Sequence, residues 1–357
     1  MVDQLVREVP PRRPTIDVRA SRRARRRRSV VVTGVLACIA LVLFVLSMML
    51  GSFRVSAIDV LASTLHLSDD PAVDFIVREL RLPTTLTALA VGMALGVSGL
   101  VFQKLLANPL ASPDFVGVSS GASLFAVSTI VFGGFGVFGA FSVPLAALVG
   151  ALLSALLIYV LAWRGGVSGY RFILIGIAVQ EFMLSIVGYI LARSEINDAR
   201  EAMTWLVGSV GQAGTVELRM LVVTVAVLLP LALLLDRPLQ ALELGDDTAT
   251  ALGARVEVCR LSLIAVSIVL IAFATAAAGP IMFVALIAGP IARRLLGHSS
   301  GGILAAAMVG AIIVLGADLV ANHLLPVALP TGVVTGAIGA PYLIWLLATV
   351  NREGRGG

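Results

Sequence analysis

Along the chain, long apolar stretches alternate with short polar breaks. Dividing it at charges and Gly/Pro clusters leaves ten apolar segments, at approximately 30–50, 82–105, 115–132, 142–163, 171–192, 216–235, 258–278, 281–296, 301–322 and 331–350. A helix needs about 20 apolar residues to cross the hydrocarbon core of a bilayer. The pattern therefore predicts an all-α polytopic membrane protein with about ten transmembrane helices in one domain, 30–350. Segment 281–296 is short for a full crossing and is expected to tilt or lie partly buried. Residues 1–29 and 351–357 form flanking tails.

The polar breaks carry structure of their own. Two of them, 51–80 and 193–215, are long enough to fold locally. The second contains INDAREAMTWLVGS, which reads as a short amphipathic helix capped by Asn197 or Asp198, with Trp205 available to anchor at an interface. Within the apolar segments, Gly92-Gly96-Gly99 and Gly332-Gly336-Gly339 place small residues three or four apart, a spacing that lets helix backbones approach closely.

The break LELGDDTATALGARV, Leu242 to Val256, is the most structured. Asp246 or Asp247 can cap a helix, and the second carboxylate favours the positive end of its dipole. Gly253 is placed for a left-handed turn after the last helical residue. A two-turn helix is not stable alone in water, so it persists only if packed on the rest of the protein or on a partner. An ordinary solvated loop is the alternative.

Composition agrees with the pattern. Hydrophobic residues make up 59% of 357 positions and charged residues 13%, and the mean hydropathy is +1.01. Soluble domains carry about a quarter of their residues as charges, so this chain cannot cover itself with polar surface. The two cysteines, Cys38 and Cys259, have no partner spacing, and His66, His298 and His323 are scattered. Neither set builds a disulfide framework or a metal centre.

Charge sets the expected orientation. Twenty-five of the 26 basic residues are arginines, ten of them before Val30. Because that run abuts an apolar segment, it reads as a disordered cytoplasmic tail obeying the positive-inside rule, with no nucleic-acid partner. The apolar run that follows, Ser29 to Phe53, is too long and lacks the small-residue cleavage pattern for a secretory signal. Ten spans then return the C-terminus to the cytoplasm. Lys104, Arg164, Arg171, Arg237, Arg255, Arg260, Arg293, Arg294, Arg352 and Arg355 fall inside. Arg54, Arg78, Arg81, Arg193, Arg200 and Arg219 fall outside.

Catalytic chemistry is absent from the sequence. There is no GxxxxGK[ST], and the single lysine, Lys104, lies in FQKLL, so the chain cannot cradle nucleotide phosphates in a P-loop. There is no HExxH. The pair Asp246-Asp247 is not an aspartate-rich diphosphate motif, because Thr250 stands where a third aspartate is required. Two acids fall within apolar segments. Glu181, beside Gln180, sits near mid-membrane, where a charge costs roughly 2.5–3.5 kcal/mol on insertion scales and should face the bundle interior or water. It either lines a pathway or is a protonated or paired structural glutamate. Asp318, near the end of its segment, reads as a structural hydrogen-bonding group.

Three long stretches carry a resemblance. LRLPTTLTALAVGMALGVSGLVFQKLLANPLASPDFVGVSSGAS (80–123), GPIMFVALIAGPIARRLLGH (279–298) and ADLVANHLLPVALPTGVVTGAIGAPYLIWLL (317–347) resemble, in this order, the permeases of iron-chelate and cobalamin ABC importers. Within that family, MALGVSGLVFQ, LIGIAVQ and LELGDDTATALG are most similar to ferric-enterobactin permease subunits. The resemblance implies a ten-helix bundle like that of the cobalamin-importer permease, in the bacterial cytoplasmic membrane, without enzymatic activity. Its implied partners are a second permease subunit, identical or paralogous, two ATPase subunits carrying ATP and Mg, and an extracytoplasmic siderophore-binding protein. The transported solute it implies is a ferric siderophore of the catecholate type, with cobalamin or haem as alternatives. An ion-coupled secondary transporter is the rival of another class. No cofactor is expected on this chain.

Site residues follow by matching positions. Leu244, Gly245, Asp246, Asp247, Thr248, Ala249, Leu252 and Gly253 correspond to the coupling helices that seat in the ATPase. Asn108, Pro109 and Leu110, with Ser168 and Gly169, correspond to a cytoplasmic gate. Gln180 and Glu181 correspond to a pathway-lining helix, and Arg54, Arg78 and Arg81 lie in the loop that docks the binding protein. The chain departs from the family at Thr84, where an arginine is usual, and at Gly289-Pro290, where a Pro-His pair is usual. The second departure is expected to shift a helix kink by one residue.

Overall fold

The computed structural model describes residues 18–51, 53–67, 70–133, 142–163, 169–297 and 302–353. Fifteen α-helices account for most of them: α1 (Val18–Met49), α2 (Ala57–Thr64), α3 (Pro71–Asp74), α4 (Leu82–Leu105), α5 (Val118–Val131), α6 (Ser142–Ala162), α7 (Gly169–Arg193), α8 (Ile196–Val207), α9 (Thr215–Leu234), α10 (Asp236–Leu242), α11 (Asp246–Ala251), α12 (Val256–Ala278), α13 (Val284–Leu296), α14 (Gly302–Leu319) and α15 (Thr331–Glu353). Among the described residues, seven helical stretches are long and apolar enough to span a membrane: Arg23–Met49, Pro71–Leu105, Val143–Ala162, Gly169–Arg193, Thr215–Leu234, Val256–Ala278 and Gly302–Leu324. The other three apolar segments of the sequence form α5, α13 and α15.

Two of these are too short to cross alone. At about 1.5 Å per residue, α5 and α13 rise only ~20 Å, against a core of about 30 Å. Irregular lead-in segments, Leu106–Gly117 and Gly279–Phe283, supply the missing length. Irregular backbone is tolerated at that depth only when buried in protein, and Ala111, Ser112, Gly279 and Ile281 are buried.

The centre of the bundle is α4, whose residues are buried almost all round, from Ala88 to Gln103. It packs against α14, α12, α13 and α9. Its backbone closely approaches those of α13 and α14: a Cβ on Gly99 would lie 1.8 Å from the Ala285 carbonyl, one on Gly96 2.2 Å from the Ala306 carbonyl, and one on Gly310 2.0 Å from that of Gly92. The small-residue spacing read from the sequence thus becomes backbone-on-backbone packing. In contrast, α1 rests on α14 with most of its apolar surface exposed, as a lipid-facing helix does.

Several local expectations need correction. Val18–Ser29, expected to belong to a disordered tail, is helical and continuous with the first span. Arg28 there donates to the Leu295 carbonyl at 3.1 Å, so the first helix closes the end of α13. The short amphipathic helix is α8, but its N-cap is Glu195, without a side-chain cap bond, rather than Asn197 or Asp198. Trp205 is buried rather than held at an interface, and its carbonyl leaves no room for a side chain at Gly279. Ahead of α4, Phe75–Arg81 forms π-helical turns that run into Pro83, whose missing N–H breaks the regular ladder.

Proline also shapes α13. Pro290 lies inside the helix and cannot donate to the Leu286 carbonyl one turn earlier. The Gln103 side chain takes that role, its Nε2 donating to the Leu286 oxygen at 2.8 Å. A Cβ at residue 289 would lie 2.3 Å from Gln103 Oε1, so any larger residue there would displace the amide from this position.

Candidate functional site

At the end of the bundle that carries Arg28, α10 and α11 form a helical step between α9 and α12. Leu239 is fully buried and fixes α10 to the core, and Ala249 does the same for α11. Gly245, with φ of +97°, turns the chain between them. It is also the N-cap of α11, so neither Asp246 nor Asp247 is the cap; both lie in the first turn. Gly253, at φ +84°, closes the helix: its N–H donates to Thr250 O at 2.9 Å and the Ala254 N–H donates to Ala249 O at 3.0 Å. That pair of bonds satisfies carbonyls that the helix end leaves open.

The two aspartates differ in their surroundings. Asp246 accepts from Arg260 of α12 at 2.7 and 3.0 Å, and Arg260 also lies 3.5 Å from Glu257. Asp247 is exposed, with Leu244 and Leu252 (64% and 66% exposed) and Thr248 beside it. The step thus presents two leucines and a carboxylate outward from a base anchored by buried residues and an ion pair.

Asn108, Pro109 and Leu110 follow α4 directly. Ala107 has φ of +48°, the Asn108 N–H donates to Gln103 O at 3.0 Å, and Asn108 Oδ1 accepts from the Leu110 N–H at 2.9 Å, which fixes the turn. Gly169 opens α7, and a Cβ there would lie 2.9 Å from Leu106 Cδ2. Gly169 therefore lies against Leu106, two residues before the Asn108–Leu110 turn. Arg260 joins them, lining a small cavity with Leu106, Gly169 and Phe172. Ser168 lies outside the described residues.

Gln180 and Glu181 do not act together. Gln180 lines a cavity of about 320 Å³ with Asp114, Ser119, Ser120 and Phe283, and its Oε1 is buried without a hydrogen-bond partner among the described residues. Glu181 points elsewhere, exposed on an α7 face that also exposes Leu174, Ile177, Phe182 and Tyr189. Of the two settings expected for Glu181, bundle interior or water, the interior of this chain is not the one it takes; a carboxylate on an apolar face needs water or another chain beside it. Asp318 accepts from Asn322 at 2.9 Å and from Thr331 at 3.2 Å, tying α14 to the start of α15.

The three arginines expected to dock a partner are in three different states. Arg54 is exposed. Arg78 pairs with Asp74 at 3.1 Å and contacts His66 Nε2. Arg81 is turned inward: it donates to the carbonyls of Met48 and Met49 at 2.7 and 3.2 Å, and to that of Phe53. Its charge caps the C-terminal end of α1, which removes it as a docking group. Thr84 donates to Leu80 O at 3.2 Å.

Sequence reasoning passed over Gln103, Lys104, Glu243 and Arg260, which knit this end together. A polar residue two places from the end of an otherwise apolar helix was the available signal for Gln103.

The fold and this constellation define a multi-span transport permease rather than an enzyme. The model of the FecCD transport family matches residues 39–349, and the chain belongs to that family. It is similar to the ferric enterobactin transport system permease protein FepG of Escherichia coli (strain K12), 41% identical over 290 residues, covering 80% of this chain and 87% of that one. It is also similar to the achromobactin transport system permease protein CbrC of Dickeya dadantii (strain 3937), 39% identical and covering 87% of this chain and 88% of that one. Among solved structures, an inward-facing metal-chelate type ABC transporter superposes with a TM-score of 0.76 at 26% identity. The match covers 90% of this chain and 99% of that one. ATP hydrolysis in such systems belongs to separate subunits, and membership of this family sets the ion-coupled reading aside.

Proposed function

We propose that this chain is the membrane subunit through which a ferric siderophore of the catecholate type crosses the bacterial cytoplasmic membrane, with both termini cytoplasmic. The catecholate assignment draws its support from the enterobactin relative. Two such subunits, identical or paralogous, enclose the pathway between two ATPases carrying ATP and Mg and an extracytoplasmic binding protein. No cofactor is held by this chain.

The observation that carries the coupling role is the α10–α11 step. Leu244, Asp247 and Leu252 stand exposed on helices too short to be stable alone, on a base fixed by Leu239, Ala249 and the Asp246–Arg260 pair. Such a surface suits a cleft on an ATPase. At the opposite end, Arg54 and Arg78 offer the binding protein positive charge. Asn108–Leu110 with Gly169 narrows the cytoplasmic mouth, and Glu181 meets the pathway where the second subunit covers α7.

Uptake of radioiron-labelled ferric enterobactin tests the reading. Cells lacking the native gene should take it up when supplied with this chain and its ATPase, and lose uptake with Asp246→Lys/Asp247→Lys while the protein remains inserted. Undiminished uptake in the double variant counts against the coupling role. Growth on hydroxamate or citrate chelates, but not on the catecholate, overturns the substrate.

A further inference from the structure

The α10–α11 step and the Asn108–Leu110 turn come from distant parts of the chain, yet one side chain touches the first and its backbone holds the second. Lys104, the only lysine in the sequence, lies in the last turn of α4. Its side chain is only 7% exposed, and its Nζ lies 3.3 Å from Glu243 Oε2. Glu243 ends α10 and leads, through Leu244 and Gly245, into α11. On the backbone side, Lys104 O accepts from the Ala107 N–H at 3.2 Å, and Gln103 O accepts from the Asn108 N–H at 3.0 Å. Two residues at the end of α4 therefore carry both the ion pair and the turn.

The surroundings favour a specific contact over a solvated one. Asp236, at the start of α10, is close enough to Lys104 to feel its charge. Burial raises its carboxyl above the usual carboxylate range, and Lys104 and a hydrogen bond from Gln240 (2.8 Å) oppose that shift. Its other oxygen has no partner among the described residues. Both ends of α10 thus carry an acid beside one nearly buried ammonium, and a nearly buried charge is strongly destabilising when left without its partner. The neighbouring Asp246–Arg260 pair differs in kind: it ties α11 to the helix that follows it in the chain, and Asp246 is 57% exposed.

We propose that Lys104 is a positioning residue: through its ion pair with Glu243 it passes displacement of the α10–α11 step to the Asn108–Leu110 turn. The inference rests on the permease reading and adds to it the physical connection between ATPase contact and gate. Without the pair, α10–α11 still binds its ATPase, because Leu244, Asp247 and Leu252 are untouched, but the turn no longer follows.

The experiment needs no knowledge of the chelate. With Cys38→Ala and Cys259→Ala removing the native thiols, Ala107→Cys carries an environment-sensitive fluorophore in the complex with the partner ATPases. Vanadate trapping with ATP should shift its emission when the native pair is present. Lys104→Met and Glu243→Gln should each abolish the shift while the ATPase stays bound and hydrolytically active. The exchanged pair, Lys104→Glu/Glu243→Lys, should regain it. A shift that persists in Lys104→Met overturns the proposal, as does loss of the shift together with ATPase binding and no recovery in the exchanged pair. Failure of the otherwise native chain to bind the ATPases counts instead against the permease reading.

Discussion

Gln103 donates its side-chain amide to the Leu286 carbonyl, the group that Pro290 leaves without its helical partner. The two residues belong to different helices and form one unit, with Gly289 as the space that admits the amide. Removing one partner of such an arrangement leaves a buried carbonyl unsatisfied, at roughly 1–3 kcal/mol. Gln103→Leu should therefore lower the thermal stability of the detergent-solubilised protein. Pro290→Ala in that background restores the N–H and should recover much of the loss. Additive effects of the two substitutions would show that the residues are not coupled.

The α4–α14 contact sets a second expectation. Gly310→Ala places a methyl 2.0 Å from the Gly92 carbonyl, where backbone and not a flexible side chain must move. Overpacking of this kind costs about 1–3 kcal/mol, and a lower unfolding temperature should result. Gly316→Ala, on the same helix with open space around it, should leave the unfolding temperature unchanged. Equal behaviour of the two variants would contradict the packing.

Asp246 and Asp247 should separate in their effects. The Asp246–Arg260 pair is partly exposed, and such pairs contribute about 0–1 kcal/mol. Asp246→Asn should barely change stability, and Asp247→Lys, at an exposed carboxylate with no ion pair among the described residues, should not change it at all. Asp247→Lys should reduce copurification of the ATPase, measured side by side with the unfolding temperature, far more than Asp246→Asn, because the Asp246 carboxylate is taken up by Arg260. A large stability loss in Asp247→Lys would place that carboxylate in a structural role.

The arginines should divide in the same manner. Arg81→Gln strips donors from the end of α1 and should reduce the yield of folded protein. Arg54→Glu should leave yield intact and weaken binding-protein association, most clearly at low ionic strength, where exposed charges are least screened. Titration of the binding protein at two salt concentrations checks this. A salt-independent loss would point to packing instead of charge.

Much of the fold was legible because lipid imposes a strong rule on sequence: each of the ten apolar segments became a helix, and only α5 and α13 are short. The rule marked 281–296 as short and partly buried, as α13 is, but speaks to hydropathy and not to backbone, so it did not show that α5 starts only at Val118. The small-residue spacing of Gly92 and Gly96 foretold close packing, whereas its partner Gly310 required the fold. Gly253 was placed correctly because left-handed geometry favours glycine locally. The cap of α11 was misplaced because Gly245, with φ of +97°, does by backbone shape what an aspartate does by side chain. The roles of Lys104 and Arg81 were hidden for another reason. Their partners lie 139 residues away in one case and 28 to 33 in the other, and no local pattern encodes them.

The glycine contact between α4 and α14 also orders events in time. Gly96 and Gly310 lie roughly 200 residues apart, and at about 5–20 residues per second a ribosome needs some ~10–40 s to make that length. For that interval α4 is in place without its principal neighbour. The Arg28–Leu295 bond likewise joins the first helix to one of the last. The centre of this bundle is therefore the last part to close, and a chain truncated before α14 leaves its most buried helix open to lipid.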